Sequence, residues 1–146
     1  MTLRRITSEL TDLKKDPLPT CSAYPINDKN LYHWTATISG PPQSLYANRE
    51  FELNIILPET YPHNPPKIFF TTPIFHPNVS SSGELKMAEL GQDQWCPALT
   101  IGKLLISVQA LLSDANLGEA CRVNEEAASL YLKNIEEFRR RARGVR

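Results

Sequence analysis

The sequence predicts an α+β domain: an N-terminal helix, a four-stranded antiparallel meander, a long loop, then central and C-terminal helices. Three observations lead there. An apolar stripe at helical spacing opens the chain, and two segments of strict alternation follow. Helical spacing then returns only beyond the stretch Thr71 to Thr100, in which no period holds.

Leu3, Ile6, Leu10 and Leu13 recur at steps of three and four with Arg and Lys between them, which makes one face of a helix. Thr2 stands where a cap belongs, and Asp16-Pro17 with Pro19 ends the run. Tyr32, Trp34, Ala36 and Ile38 share one parity, as do Phe51, Leu53, Ile55 and Leu57, so both segments read as strands with one buried face. Gly40-Pro41-Pro42 marks the turn between them, and Ile68-Phe69-Phe70 after Pro65-Pro66 reads as the fourth strand. An irregular stretch as long as Thr71 to Thr100 is uncommon in a small domain and is usually functional or disordered. Its aromatic and proline content argues against disorder, so an ordered loop region holding the site is expected. Ile101, Leu104, Leu105, Val108, Leu111 and Leu112 then form a strongly apolar, central helix. A last helix is expected from about Glu125, with Ala128, Tyr131, Ile135 and Phe138 inward. Glu125 and Glu126 fall in its first turn and Arg139, Arg140, Arg141 and Arg143 in its last, matching the helix dipole. The arginine run reads as a solvated helix end rather than a docking surface.

The 146 residues fit one compact domain spanning 1–146. Basic and acidic residues balance to a formal charge of zero, so the broad basic field of a nucleic-acid binder is missing and no nucleic acid is expected as partner. No apolar run approaches the roughly 18 residues of a membrane span. Met1-Thr2-Leu3-Arg4-Arg5 opens into a charged amphipathic stretch without a signal-peptide core. Cys21, Cys96 and Cys121 form neither an even disulfide set nor a close metal-type pair, so reduced thiols in the cytoplasm or nucleus are expected, with no metal and no cofactor. The 12 prolines crowd the middle of the chain, where they exclude a helical bundle and indicate ordered turns between regular elements.

Three motifs line up along the chain. Tyr61-Pro62-His63-Asn64-Pro65-Pro66-Lys67 precedes the fourth strand, His76-Pro77-Asn78 follows it, and Trp95-Cys96-Pro97-Ala98-Leu99-Thr100 leads into the apolar helix. Singly, each is a loop with prolines. In this order and spacing they resemble the ubiquitin-conjugating enzyme family, in particular its minimal single-domain members, from the first helix to the last. The resemblance implies a shallow groove in which a cysteine accepts the C-terminal glycine of ubiquitin, or of a related modifier, from an activating enzyme. The family then passes that modifier from the thioester to a lysine, usually with a ligase holding the complex. The family's nucleophile lies eight residues after the motif asparagine, and here that position is Lys86; Gly83 matches a glycine the family carries just before the site. A slip of register supplies no cysteine, because the next one is Cys96, beyond the tryptophan.

The resemblance carries further positions with it. Asn78 matches the asparagine that supports the oxyanion during transfer, a task for a fixed neutral donor; its alternative role is to hold its own loop in shape. His76 and Pro77 complete that motif. Glu119 falls where the family often has an acidic residue orienting the incoming lysine, although the prolines flanking it are lost here. Asn116 and Ile106 match positions that contact a folded-back ubiquitin, and Ser22 lies on the sheet surface where some relatives bind a second one. Arg5, Pro62, His63, Cys96 and Pro97 match the surface used for activating enzymes and ligases. His63 replaces a frequent phenylalanine, which weakens apolar anchoring to many ligases.

Lysine changes the chemistry of that position. A thiolate attacks well near neutral pH and its thioester stays reactive, whereas a lysine amine, with an ordinary pKa of about 10.4, is mostly protonated and yields an amide that hands nothing on. Thioester relay through Lys86 is therefore excluded. Three accounts follow. The cysteine of a genuine conjugating enzyme was replaced by lysine, which would give a stable mimic of the charged enzyme. Or the chain is a natural inactive variant that binds the modifier, a ligase or an active conjugating enzyme; His63, Glu89 and Asn48-Arg49 weigh toward this account. Or the nucleophile moved to Cys121, two residues beyond Glu119, against which stands the commoner fate of cysteine as a buried apolar residue.

Overall fold

The computed structural model describes residues 2–91, 94–118 and 121–143. Helix α1 (Thr2–Lys15) leads into four strands, β1 (Cys21–Asn27), β2 (Asn30–Ser39), β3 (Glu50–Ile56) and β4 (Lys67–Phe70). A one-turn 3-10 helix at Ala88–Leu90 interrupts the loop region, and α2 (Ile101–Ser113), α3 (Glu125–Lys133) and α4 (Ile135–Ala142) close the chain. The fold is α+β, as the sequence predicts. None of the described helices is long and apolar enough to cross a membrane.

The sheet is an antiparallel meander in the order β1-β2-β3-β4. Its register follows from the shared parity of β2 and β3: Trp34 faces Ile55, Ala36 faces Leu53 and Ile38 faces Phe51. Leu53 and Ile55 pair in turn with Phe70 and Ile68 of β4, so one face of the sheet is continuously apolar and buried. Leu104, Leu105, Val108 and Leu112 of α2 join the same core, with Ile6 of α1 and Phe138 of α4. Thr100 caps α2, its hydroxyl accepting from the Lys103 amide at 3.2 Å.

Three details differ from the sequence expectation. Thr2 is not a cap: it lies in the first turn, and its hydroxyl donates to the Glu59 carbonyl. Leu3 is 51% exposed, because the inward stripe of α1 runs through Ile6, Glu9, Leu10 and Leu13 and the first turn overhangs the core. The last helix is two helices. Asn134 ends α3 through its amide on Leu130 O and starts α4 by accepting from the Glu137 amide, a local bond that competes with helix continuation. The break leaves Ile135 exposed while Tyr131 and Phe138 meet edge to face at 5.1 Å.

The arginines of α4 are also more than a solvated end. Arg139 and Arg140 pair with Glu136 and Glu137 on their own helix. Arg141 reaches Glu126 of α3 and lies 4.4 Å over the Phe75 ring, just before the His76 motif. Arg49 donates to the Ala142 carbonyl at the end of α4 and stacks on Phe51 at 4.8 Å, while Asn48 beside it takes the left-handed conformation (φ 64°).

Candidate functional site

The loop after β4 is laid down by main-chain bonds. Phe70 N donates to Gly83 O at 2.7 Å and Leu85 N to Ile68 O at 2.9 Å, which aligns residues 83–85 with β4. On the other side Val79 bridges Leu85, and the Lys86 amide donates to Asn78 O at 2.9 Å. Glycine is required at 83: its φ is +93°, and a Cβ there would sit 2.4 Å from the Phe70 carbonyl oxygen. Extended backbone alternates its side chains, so Leu85 and Met87 are buried and Lys86 between them points out. The Lys86 side chain is 50% exposed, with Nζ 3.4 Å from Oε2 of Glu84.

Lys86 opens onto a groove of about 690 Å³. Pro65, Pro66, Leu85, Met87 and Leu90 give it apolar walls, and Asn116 and Cys121 close its far side. The groove therefore unites residues that the sequence keeps far apart.

Behind it stands Asn78, fully buried. Its Nδ2 donates to the carbonyls of Asn116 (2.7 Å) and Cys121 (2.8 Å), and its Oδ1 accepts from the Asn116 amide (2.9 Å). Both amide protons are thus engaged in holding the segment after α2, which is the loop-shaping role; donating to a developing oxyanion requires exchanging one of these bonds. His76 supports the same loop. The Asn78 amide donates to Nδ1 at 3.0 Å, so Nδ1 is bare and the ring proton sits on Nε2, donating to Leu111 O at 2.7 Å. The carbonyl of Pro77 accepts from Val123 and Asn124 ahead of α3. His76, Pro77 and Asn78 together pin the end of α2 and the start of α3 to the groove.

Burial lowers the pKa of His76 to about 4, against a smaller opposing effect of the Leu111 carbonyl. Below about pH 6.5 the unfolded chain takes up a proton that the folded chain refuses until about pH 4. Stability is therefore full above pH 6.5 and declines as pH falls toward 4, by about 3 kcal/mol from this one group. The ring resonances of His76 should report a neutral imidazole, protonated on Nε2, at pH 5.5; a titration midpoint at pH 6 or above would contradict the geometry.

Cys121 is buried, and its thiol pKa is raised, first by burial and then by the charge of Glu89, with Lys86 acting in the opposite direction. Cys96 is an exposed loop thiol beside exposed Pro97. His63 is exposed and Pro62, half-buried, follows a cis peptide at Tyr61. These residues lie together because Trp95 Nε1 donates to Pro62 O at 2.8 Å and the Tyr61 and Trp95 rings are 6.2 Å apart. Arg5 turns inward instead: Nε bonds Glu9 at 2.8 Å and Nη2 bonds Leu99 O at 2.9 Å. Ile106 is exposed on α2 and Ser22 on β1. Glu119 lies outside the described residues.

Sequence reasoning missed Glu9. This buried carboxylate accepts from Arg5, from the Tyr61 hydroxyl (2.5 Å) and from the Ile101 amide at the start of α2 (2.7 Å). A lone acid on the apolar stripe between Ile6 and Leu13 was the available signal. Glu84, the counter-ion of Lys86, was missed as well.

A family model described as ubiquitin-conjugating enzyme matches residues 5–145. The chain belongs to the ubiquitin-conjugating enzyme family. It is thus a conjugating-enzyme-like protein of the ubiquitin pathway, whose family members interact with ubiquitin, activating enzymes and ligases.

Proposed function

We propose that this chain works as a non-relaying member of its family, binding ubiquitin or a related modifier, a ligase or an active conjugating enzyme, without forming a thioester. The observation that carries this reading is Lys86. It lines the groove, with its side chain half exposed, at the position where the family resemblance puts a thiol. An amine that attacks an activated carboxyl forms an amide, and an amide does not pass the modifier on. Transfer through Cys121 is the weaker reading: that thiol lines the groove, but it is buried and its thiolate is disfavoured by burial and by Glu89. The odd number and wide spacing of Cys21, Cys96 and Cys121 in the sequence support a cytoplasmic or nuclear setting as part of this reading.

A second reading is that Lys86 replaces the cysteine of a working conjugating enzyme, its half-exposed side chain being accessible for adduct formation. Incubation with activating enzyme, ATP and ubiquitin, followed by gels with and without thiol, separates the accounts. The expected result is no adduct band together with measurable affinity for ubiquitin or a conjugation partner. A thiol-resistant band mapped to Lys86 by peptide mass supports the second reading and removes the first. A thiol-labile band that disappears in Cys121→Ala establishes relocation instead.

A further inference from the structure

The groove described above has an electrostatic character that a cysteine would not give it. Lys67, Lys86 and Glu84 line it, and the charge of Glu89 reaches Cys121 on its wall. The Lys86–Glu84 pair is loose: 3.4 Å separates the charged atoms, against roughly 2.7–2.9 Å for a close charge-assisted bond, and both side chains meet solvent. An ammonium carries three donors, so contact with Glu84 leaves capacity for another acceptor. The surrounding walls, Pro65, Pro66, Leu85 and Met87, are apolar and suit an extended peptide.

We propose that the groove receives the free C-terminal carboxylate of the modifier, with Lys86 as the cation that recognises it. This rests on the reading above, that the chain binds the modifier without a thioester, and it specifies the state of the modifier that is bound. The carboxylate of an unactivated tail bears a full negative charge complementary to Lys86, whereas the carbonyl of a thioester or isopeptide is neutral. A position that in a relaying enzyme takes a charged-up tail would here favour the tail before activation or after release. Glu84 competes for the same ammonium and sets the strength of the preference.

The test compares two probes, ubiquitin with its native C-terminal acid and ubiquitin whose C-terminus is the primary amide, titrated into the full chain at low salt and followed by NMR. The acid should bind about three- to tenfold more tightly, the range expected of a partly exposed charge pair. The preference should shrink at high salt, persist in Lys86→Arg, disappear in Lys86→Met and increase in Glu84→Gln. Lys86 and Glu84 are both solvent-accessible, so melting curves of the variants should overlay that of the parent. Equal affinity for acid and amide overturns this inference while leaving modifier binding intact, as does a preference that survives in Lys86→Met. Failure of both probes to bind removes modifier binding as well.

Discussion

Glu9→Ala is expected to lower stability by about 3 kcal/mol, the lower end of the range for breaking a buried ion pair, and the melting temperature by roughly 10 °C. Three donors lose their acceptor at once. The Ile101 amide is the most consequential, because it is an end-of-helix N–H that nothing else in α2 can satisfy. The Tyr61 hydroxyl is buried beside it, and Arg5, which is partly exposed, recovers some solvation; that recovery sets the lower end of the range. Glu9→Gln keeps an acceptor for the Ile101 amide and should cost about half as much. Because Arg5 also holds Leu99 O, and Tyr61 adjoins Pro62, the loss should spread to both loops that carry the exposed Pro62–His63 and Cys96–Pro97 surface. Denaturant midpoints, with hydrogen exchange at the Ile101 amide, measure this. A loss below about 1 kcal/mol for the alanine variant would show that the carboxylate does not join these elements.

The second large effect is expected at Asn78. Asn78→Asp is nearly isosteric but sets an oxygen against the carbonyls of Asn116 and Cys121, where Nδ2 now donates at 2.7 and 2.8 Å. Two donors disappear, and a buried acceptor faces two others, so a loss of about 3 kcal/mol or more is expected. Asn78→Ala should cost somewhat less, since it removes partners without adding repulsion. Exchange at the Asn116 amide, which Asn78 Oδ1 holds, should accelerate in both variants. If Asn78→Asp melts within 2 °C (an order-of-magnitude threshold) of the parent with that amide still protected, the loop-holding role is wrong.

The sheet was legible where one face is buried and the other is not. Period-two alternation in β2 and β3 translates directly into the pairs Trp34–Ile55, Ala36–Leu53 and Ile38–Phe51. Strand β1 gave no such signal: apolar residues occupy both parities, with Cys21 and Ala23 inward and Tyr24 and Ile26 more than half exposed, and Pro25 sits within the strand. The break at Asn134 was hidden because 128, 131, 135 and 138 fit one continuous helical face on paper, and a single side-chain-to-backbone bond decides otherwise. At the site, the spacing from Asn78 to Lys86 could be counted because Gly83 and a short ladder fix it physically. The bonds from Asn78 to Asn116 and Cys121 span the chain between separate motifs, and no local period encodes them.

The ladder that presents position 86 uses only backbone atoms of that residue, and the side chain stands outside the core. Any residue that keeps a backbone N–H, which excludes only proline, is displayed at the same spot. Folding and reactivity are consequently under separate genetic control at this codon. A substitution at this codon therefore changes what the groove displays while leaving the scaffold almost untouched.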